Sequence, residues 1–166
     1  MRILPVALRF ASESPEQLVS IAQRVSRLTH GHPRSQLACG YLCLLAAQLV
    51  HGLSPRASYE QTNVLLRSLY REPPWRDELP AFDRLLSGRI DTLPRESISG
   101  SGYVVSTLEA SVYLLLRSTS YAHAVLEAVR GGRPDLCLVG DHRQAIYGWN
   151  GADPSTMLEV ERRYPG

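Results

Sequence analysis

The residues best suited to chemistry lie in one short stretch, where a loop rich in glycine and serine leads into an apolar helix. Residues 98–110 read Ile-Ser-Gly-Ser-Gly-Tyr-Val-Val-Ser-Thr-Leu-Glu-Ala. Gly100 and Gly102 are expected to allow positive φ angles and a close approach of the backbone to a ligand. The helix start offers unpaired N–H groups and a positive dipole end to an anion. The stretch therefore indicates a site for a phosphate-bearing ligand; the alternative is a plain turn between two helices, since a single glycine-rich loop is a weak motif.

Histidine and cysteine side chains are the other candidates for chemistry. His30 and His32 follow a predicted helix, and no carboxylate lies near them in the sequence. We therefore expect a helix C-cap and turn role for them rather than metal binding. Cys39 and Cys43 are four residues apart on a predicted helix, and Cys137 lies in an apolar run. All three are expected to be buried thiols, as is usual in a reducing compartment.

Composition sets broad limits on the fold and the function. A chain of 166 residues with 44% hydrophobic content is about one domain long and can bury a core. A net charge of +2 gives no strong field for a polyanion, so composition argues neither for nor against nucleic acid. No signal peptide is visible, and the longest apolar run, around residues 42–50, is too short to span a bilayer. These features predict a cytoplasmic protein.

Helices must position the glycine-rich loop, and the pattern up to residue 130 predicts helices and loops. Ser14 with Gln17 forms a capping box, and a buried face runs from Leu18 to Leu28. Residues 34–50 are apolar nearly all round, which is typical of a helix in the middle of a bundle.

Further helices are predicted on both sides of the loop. Ser58 is expected to cap a third helix, with Val64 on its inner side, and residues 77–86 form a shorter amphipathic helix. Residues 88–97 are predicted as surface loop, and residues 107–130 as a helical hairpin.

Both ends of the sequence break this pattern. The abrupt apolar beginning over residues 1–10 leads us to expect further sequence upstream. Residues 135–141 form an apolar run closed by Gly-Asp, which predicts a strand followed by a loop. A lone strand has no predicted partner in this chain, so the end of the sequence is expected to derive from a different fold.

Residues from 1 to about 129 resemble the ADP-ribosylglycohydrolase family, which includes dinitrogenase reductase-activating glycohydrolase and relatives of J1-crystallin. The resemblance rests on three motifs in order, at residues 1–6, 29–33 and 97–110. It implies an all-α fold, two bound magnesium ions and cleavage of the glycosidic bond that joins ADP-ribose to a protein side chain or small group. It also implies that Gly100, Ser101, Gly102 and Tyr103 line the ADP-ribose pocket.

The sequence departs from that family at the positions that hold the metals. Family members carry an early Thr-Asp-Asp motif and a late Asp-x-Asp-Thr motif, and neither occurs here. Magnesium needs clustered oxygen ligands, and Asp135 beside two arginines cannot replace several carboxylates. Ser106 stands where relatives often carry His. The resemblance therefore implies an incomplete domain whose hydrolytic activity is lost.

Residues from about 132 to 166 resemble a second family, the Rep/UvrD-type superfamily 1 DNA helicases. Residues 139–154 match the third motif of those enzymes. The resemblance implies that Gln144 senses a nucleotide γ-phosphate, that Trp149 stacks on a base of single-stranded DNA, and that Tyr147 also contacts the nucleotide or the DNA. Asn150 departs from the Arg often found there. No Gly-x-x-x-x-Gly-Lys-[Ser/Thr] loop occurs in the sequence, so ATP hydrolysis is not expected.

Together these observations predict an all-α helical bundle of ADP-ribosylglycohydrolase type, incomplete, with a short tail derived from an α/β fold. The predicted domains are residues 1–130 and residues 131–166. The expected partner is ADP-ribose or an ADP-ribosylated protein, with magnesium bound in the parent family and none expected here. The alternative function is that of a helicase remnant that binds single-stranded DNA. A rearranged or decayed gene or an assembly error would produce such a junction.

Overall fold

The structure, a computed structural model of the chain, describes residues 3–99 and 101–130. It contains the helices α1 (Leu4–Arg9), α2 (Pro15–Arg27), α3 (Pro33–Val50), α4 (Pro55–Leu69), α5 (Asp83–Leu86), α6 (Val104–Arg117) and α7 (Tyr121–Arg130). Three 3-10 segments cover Arg76–Phe82, Ile90–Thr92 and Arg95–Ser97. No strand occurs within the described residues, and the all-α prediction is confirmed.

Helices α2, α3 and α4 all begin with a proline in the first turn behind a polar cap. Ser14 forms the predicted capping box with Gln17. Ser54 caps α4, with its Oγ accepting a hydrogen bond from the N–H of Ala57 at 3.3 Å. The prediction of Ser58 as that cap was wrong, because Pro55 lacks an N–H and has a fixed φ, and so sets the helix start one turn earlier.

The core is built around α3, as the sequence predicts. Eleven of its eighteen residues are buried, and it packs against α1, α2, α4 and α6. Two buried tyrosines connect neighbouring elements through hydrogen bonds that their hydroxyl groups donate. Tyr41 on α3 donates to Oδ1 of Asn63 on α4 at 2.9 Å, and Tyr59 on α4 donates to the carbonyl of Leu85 at 2.5 Å. These bonds satisfy polar groups that would be costly to bury unpaired.

Two predicted core positions are exposed. Leu28 is 81% exposed because it is the C-cap of α2, beyond the last turn that packs on α3. Val64 is 69% exposed because α4 turns a different face inward, with Tyr59, Asn63 and Leu66 buried. Hydrophobicity alone could not locate that face, since it includes an asparagine whose amide oxygen is bonded inside the protein.

The segment between α4 and α6 is more ordered than predicted. Pro80 lies inside the first 3-10 segment, where its missing N–H interrupts an α-helical pattern, so only Asp83–Leu86 is α-helical. Residues 88–97, predicted as surface loop, contain two short 3-10 segments. Ile90 in the first of these is fully buried and fixes the segment on the core.

The chain divides into two compact units, residues 1–119 and residues 120–166. The first contains α1 to α6, and the described part of the second contains α7. The predicted strand at residues 135–141 lies outside the described residues, and the predicted domain boundary at residue 130 stays a prediction. Within the described ranges, no helix combines the length and hydropathy required to cross a membrane.

Candidate functional site

The glycine-rich loop enters α6 in a conformation held by its own hydroxyl groups. Ser101 Oγ accepts from the N–H of Tyr103 at 3.4 Å, and Ser99 Oγ accepts from the N–H of Ser101 at 3.2 Å. Thr107 Oγ1, one turn into the helix, donates to the carbonyl of Ser101 at 3.3 Å. Tyr103 is the N-cap residue in extended conformation, and its side chain makes no capping bond. The first N–H groups of α6, which have no acceptor within the helix, therefore remain without a side-chain cap.

Gly102 has a different role from the one predicted. Positive φ angles occur among the described glycines at Gly52 and Gly88, and Gly102 does not adopt one. A Cβ atom at Gly102 would meet no atom within 4 Å, and the residue lines a cavity. The missing side chain therefore leaves space in front of the helix start rather than relieving backbone strain. Gly100 lies outside the described residues.

The cavity in front of the loop has a volume of about 780 Å³. It lies between the end of α2, the turn that follows it, the start of α3 and the start of α6, so two helices begin at its edge. Its walls are partly apolar, with contributions from Ile3, Val25, Leu28 and Val104. Its polar lining includes Thr29, His30, His32, Ser35 and Thr107.

Arg34 brings a positive charge to this cavity and is fixed by two partners. Its Nε donates to Glu78 Oε2 at 2.6 Å, and its Nη1 donates to Tyr103 Oη at 2.6 Å. These hydrogen bonds, the one to Tyr103 first and the one to Glu78 second, raise the pKa of the Arg34 guanidinium. The group is therefore charged throughout the physiological pH range, and it joins α3 to the loop before α6.

The histidines stand at the same edge of the cavity. His32 is the N-cap of α3, with its Nδ1 accepting from the N–H of Arg34 at 3.2 Å, and its Nε2 lies 3.9 Å from Glu78 Oε1. His30 Nδ1 lies 2.9 Å from Thr29 Oγ1. The predicted turn role is confirmed, but His32 caps the start of the following helix instead of the end of the preceding one.

Sequence reasoning missed Arg34, although a signal was present. A cation in the first turn of a helix faces the positive end of the dipole, which is unfavourable. Arg34 occupies such a position directly after Pro33, and no acidic residue lies in that turn to compensate. An arginine placed against the dipole indicates that another interaction holds it there, and here that interaction comes from Glu78, 44 residues away.

A second arginine, Arg84, links the residues just before the glycine-rich loop to α6. Arg84 Nη2 donates to the carbonyl of Ser97 at 2.9 Å, and its Nε lies 3.8 Å from Glu109 Oε1 on α6. Glu109 is buried, and its burial raises the pKa of the carboxyl group, an effect that Arg84 opposes. The beginning of the loop and the helix after it are thus joined through one side chain.

The described residues do not fit a magnesium centre. No group of three or more His, Cys, Asp and Glu side chains in the described ranges is arranged to hold a metal ion. Glu78, the carboxylate in contact with Arg34 and His32, is engaged by both. Magnesium requires several oxygen ligands in near-octahedral geometry, and this arrangement offers a single carboxylate paired with a cation.

The structure describes some of the predicted site residues, and others lie outside the described ranges. Gly102 and Tyr103 line the cavity, and Ser101 shapes the loop beside it. Cys39 and Cys43 are buried free thiols, as predicted, and Cys39 contributes to the cavity wall. The predicted helicase-like contacts Gln144, Tyr147 and Trp149 lie outside the described residues, and so does Cys137.

The end of the chain is similar to DNA helicases. The family model of the UvrD/REP helicase N-terminal domain matches residues 119–165. The ATP-dependent DNA helicase UvrD2 of Mycobacterium tuberculosis is 45% identical over 47 residues, which are 28% of this chain and 7% of the helicase. The ATP-dependent DNA helicase PcrA of Staphylococcus aureus is 55% identical over 31 residues, 19% of this chain and 4% of the helicase. The chain spans less than a tenth of the length of these curated relatives.

No solved structure matches the chain. The larger part of the chain does match the model of a different family. The family model of ADP-ribosylglycohydrolase matches residues 1–137, which include every described helix and the whole cavity lining. The helical architecture agrees with that family, and the chain belongs to the ADP-ribosylglycohydrolase family.

Proposed function

We propose that the chain is an ADP-ribosylglycohydrolase-like protein whose cavity binds ADP-ribose or the ADP-ribosyl group of a conjugate. The observation that carries this proposal is the opening of Gly102 and Tyr103, at the start of α6, into a cavity of about 780 Å³. That volume lies within the range of about 300–1,000 Å³ that is usual for small-molecule sites.

The two kinds of lining suit the two parts of such a ligand. Uncapped N–H groups at the start of α6 suit the pyrophosphate, because they donate hydrogen bonds at the positive end of a helix. The apolar side chains Val25, Leu28 and Val104 suit the base and the sugar carbons. Tyr103, 46% exposed, adds an aromatic face at the same edge.

We further propose that these 166 residues bind without hydrolysing the glycosidic bond. The sequence contains neither Thr-Asp-Asp nor Asp-x-Asp-Thr, the motifs that the family resemblance assigns to the magnesium ligands. Without metal ions the helix terminus contributes about 0.3–1 kcal/mol per exposed ligand charge. The affinity is therefore expected to be weak.

Calorimetric titration of the purified chain with ADP-ribose, with and without magnesium chloride, tests the binding proposal. We expect weak binding that is independent of magnesium and is lost in Gly102→Val, whose side chain would occupy the cavity. Gly31→Val is the matched control, because a Cβ there also meets no atom within 4 Å but Gly31 does not line the cavity. Absence of binding to the unsubstituted chain at millimolar ADP-ribose would overturn the proposal.

The absence of hydrolysis is tested separately on an ADP-ribosylated protein. We expect no release of ADP-ribose above background in the presence of magnesium. Magnesium-dependent release that is lost in Gly102→Val would show that the residues of this chain suffice for turnover, and would overturn this part of the proposal.

Single-stranded DNA binding is the second candidate function, favoured by the similarity of residues 119–165 to helicases. It would use Tyr147 and Trp149 for base stacking and Gln144 for a nucleotide phosphate. Salt-sensitive binding to an oligonucleotide that is lost in Trp149→Ala would support it. For either function we propose a cytoplasmic location, because Cys39 and Cys43 are buried free thiols, as is common in reducing compartments.

A further inference from the structure

Arg34 supplies the cavity with a permanent positive charge. It lines the cavity together with Tyr103, and its side chain is 35% exposed. Among the described residues no other arginine lines this cavity, and the chain contains no lysine. A ligand in this cavity therefore meets one permanent cation, located where α3 begins.

The guanidinium is oriented before any ligand arrives. Its Nε and Nη2 both lie beside Glu78 Oε2, at 2.6 and 2.5 Å, and its Nη1 donates to Tyr103 Oη. A guanidinium has five N–H groups, and these contacts use three of them, so one N–H remains on each terminal nitrogen. These two N–H groups, on the planar fork of the guanidinium, can donate hydrogen bonds to the oxygens of a phosphate.

Glu78 supports this fork, since its side chain is 19% exposed and its Oε2 lies 2.6 Å from Nε and 2.5 Å from Nη2 of Arg34. Because both partners of the pair are held, a ligand phosphate need not order a flexible arginine on binding, and less binding free energy is lost to entropy. Tyr103 contributes twice, through its ring at the cavity edge and through its hydroxyl on Arg34.

We propose that Arg34 is the phosphate-binding and specificity-determining residue of this cavity, which selects ligands with a pyrophosphate over uncharged nucleosides. This inference rests on the proposed binding of ADP-ribose. It assigns the recognition of the ligand's negative charge to one fixed guanidinium, because the described residues offer no metal centre that could do so.

The test compares ADP-ribose with adenosine as titrants for three proteins: the unsubstituted chain, Arg34→Gln and Arg71→Gln. Arg71 is the matched control, because it is exposed, lies outside the cavity lining and gives the same change in net charge. We expect the unsubstituted chain and Arg71→Gln to bind ADP-ribose at least about tenfold more tightly than adenosine, a difference of about 1.4 kcal/mol. In Arg34→Gln the preference is expected to fall well below tenfold, because only the start of α6 still favours the phosphates, while the affinity for adenosine stays the same. Arg34→Lys, which keeps the charge but loses the fork, is expected to fall between them.

Each other outcome overturns the inference in a recognisable way. If Arg34→Gln binds ADP-ribose as tightly as the unsubstituted chain, Arg34 does not recognise the phosphates and the proposed function still stands. The inference also fails if the unsubstituted chain binds adenosine and ADP-ribose equally. If the unsubstituted chain binds no ADP-ribose, the proposed function and the inference fail together. Urea unfolding of Arg34→Gln separates loss of the fold from loss of recognition.

Discussion

Gly40, in the middle of α3, lies against the hydroxyl group of Tyr70 at the end of α4. A Cβ atom at Gly40 would lie 2.2 Å from Tyr70 Oη and 3.3 Å from Cζ. Tyr70 is 1% exposed, so its ring has little room to move away. We therefore predict that Gly40→Ala destabilises the protein, although alanine is the better helix former.

The magnitude follows from two opposing terms. Replacing glycine by alanine inside a helix contributes about 1 kcal/mol of stability. Overpacking a buried site costs about 1–3 kcal/mol. The expected net effect is a loss of about 1 kcal/mol. In a Tyr70→Phe background the hydroxyl oxygen at 2.2 Å is absent, and the nearest remaining ring atom, Cζ at 3.3 Å, must move only a few tenths of an ångström. There Gly40→Ala is expected to be neutral or stabilising, which gives a coupling of about 1–2 kcal/mol between the two sites.

Urea unfolding of the four proteins of this double-mutant cycle, followed by circular dichroism, measures the coupling. Gly31→Ala is the control, since its Cβ meets no atom within 4 Å and no loss is expected. Equal destabilisation by Gly40→Ala in both backgrounds would refute the contact with Tyr70. A stabilising Gly40→Ala in the unsubstituted background would refute the close approach of α3 to α4 at this point.

Two further predictions concern charge and capping. Glu109→Gln is expected to stabilise the protein at neutral pH, because burial raises the pKa of Glu109 in the folded state, so its charged form opposes folding. That advantage should shrink as the pH falls through the folded-state pKa and vanish below the unfolded-state value, which urea midpoints measured from pH 8 down to pH 4 would follow. Ser54→Ala is expected to cost about 1 kcal/mol through the lost N-cap bond, and Ser58→Ala less, as measured by urea unfolding.

Both predictions have clear contrary outcomes. A Glu109→Gln protein that is less stable than the unsubstituted chain at neutral pH would mean that the ion pair with Arg84 outweighs the burial of the carboxylate. A larger loss in Ser58→Ala than in Ser54→Ala would place the start of α4 a turn later than the structure has it.

The sequence predicts those helices whose starts are marked by local chemistry. Ser14 with Gln17 defines the start of α2, and the apolar run that follows Pro33 identifies the central helix α3. The prediction is wrong at the start of α4, where Pro55 sets the first turn behind Ser54. It also failed for the inward face of that helix, because the burial of Asn63 depends on Tyr41, which is 22 residues away in the sequence.

The candidate site was predictable only where it is continuous in sequence. The loop before α6 stands out through its glycines and serines, and two of its residues line the cavity. Arg34 could not be assigned in the same way, because its surroundings are set by Glu78 and Tyr103, which lie 44 and 69 residues away. Contacts between residues so far apart in the sequence result from tertiary packing, and no periodic pattern of residue types marks them.

The cavity is assembled from segments that leave the ribosome at different times. The side chains on α2, its following turn and α3 are synthesised first, and the bond between Arg34 and Tyr103 spans 69 residues. At about 5–20 residues per second, the ribosome needs roughly 3–14 s to add that length of chain. During this interval α2 and α3 can pair, but the loop that completes the cavity beside Val25 has not yet been synthesised. The nascent chain therefore exposes part of the cavity's apolar wall before the cavity is complete.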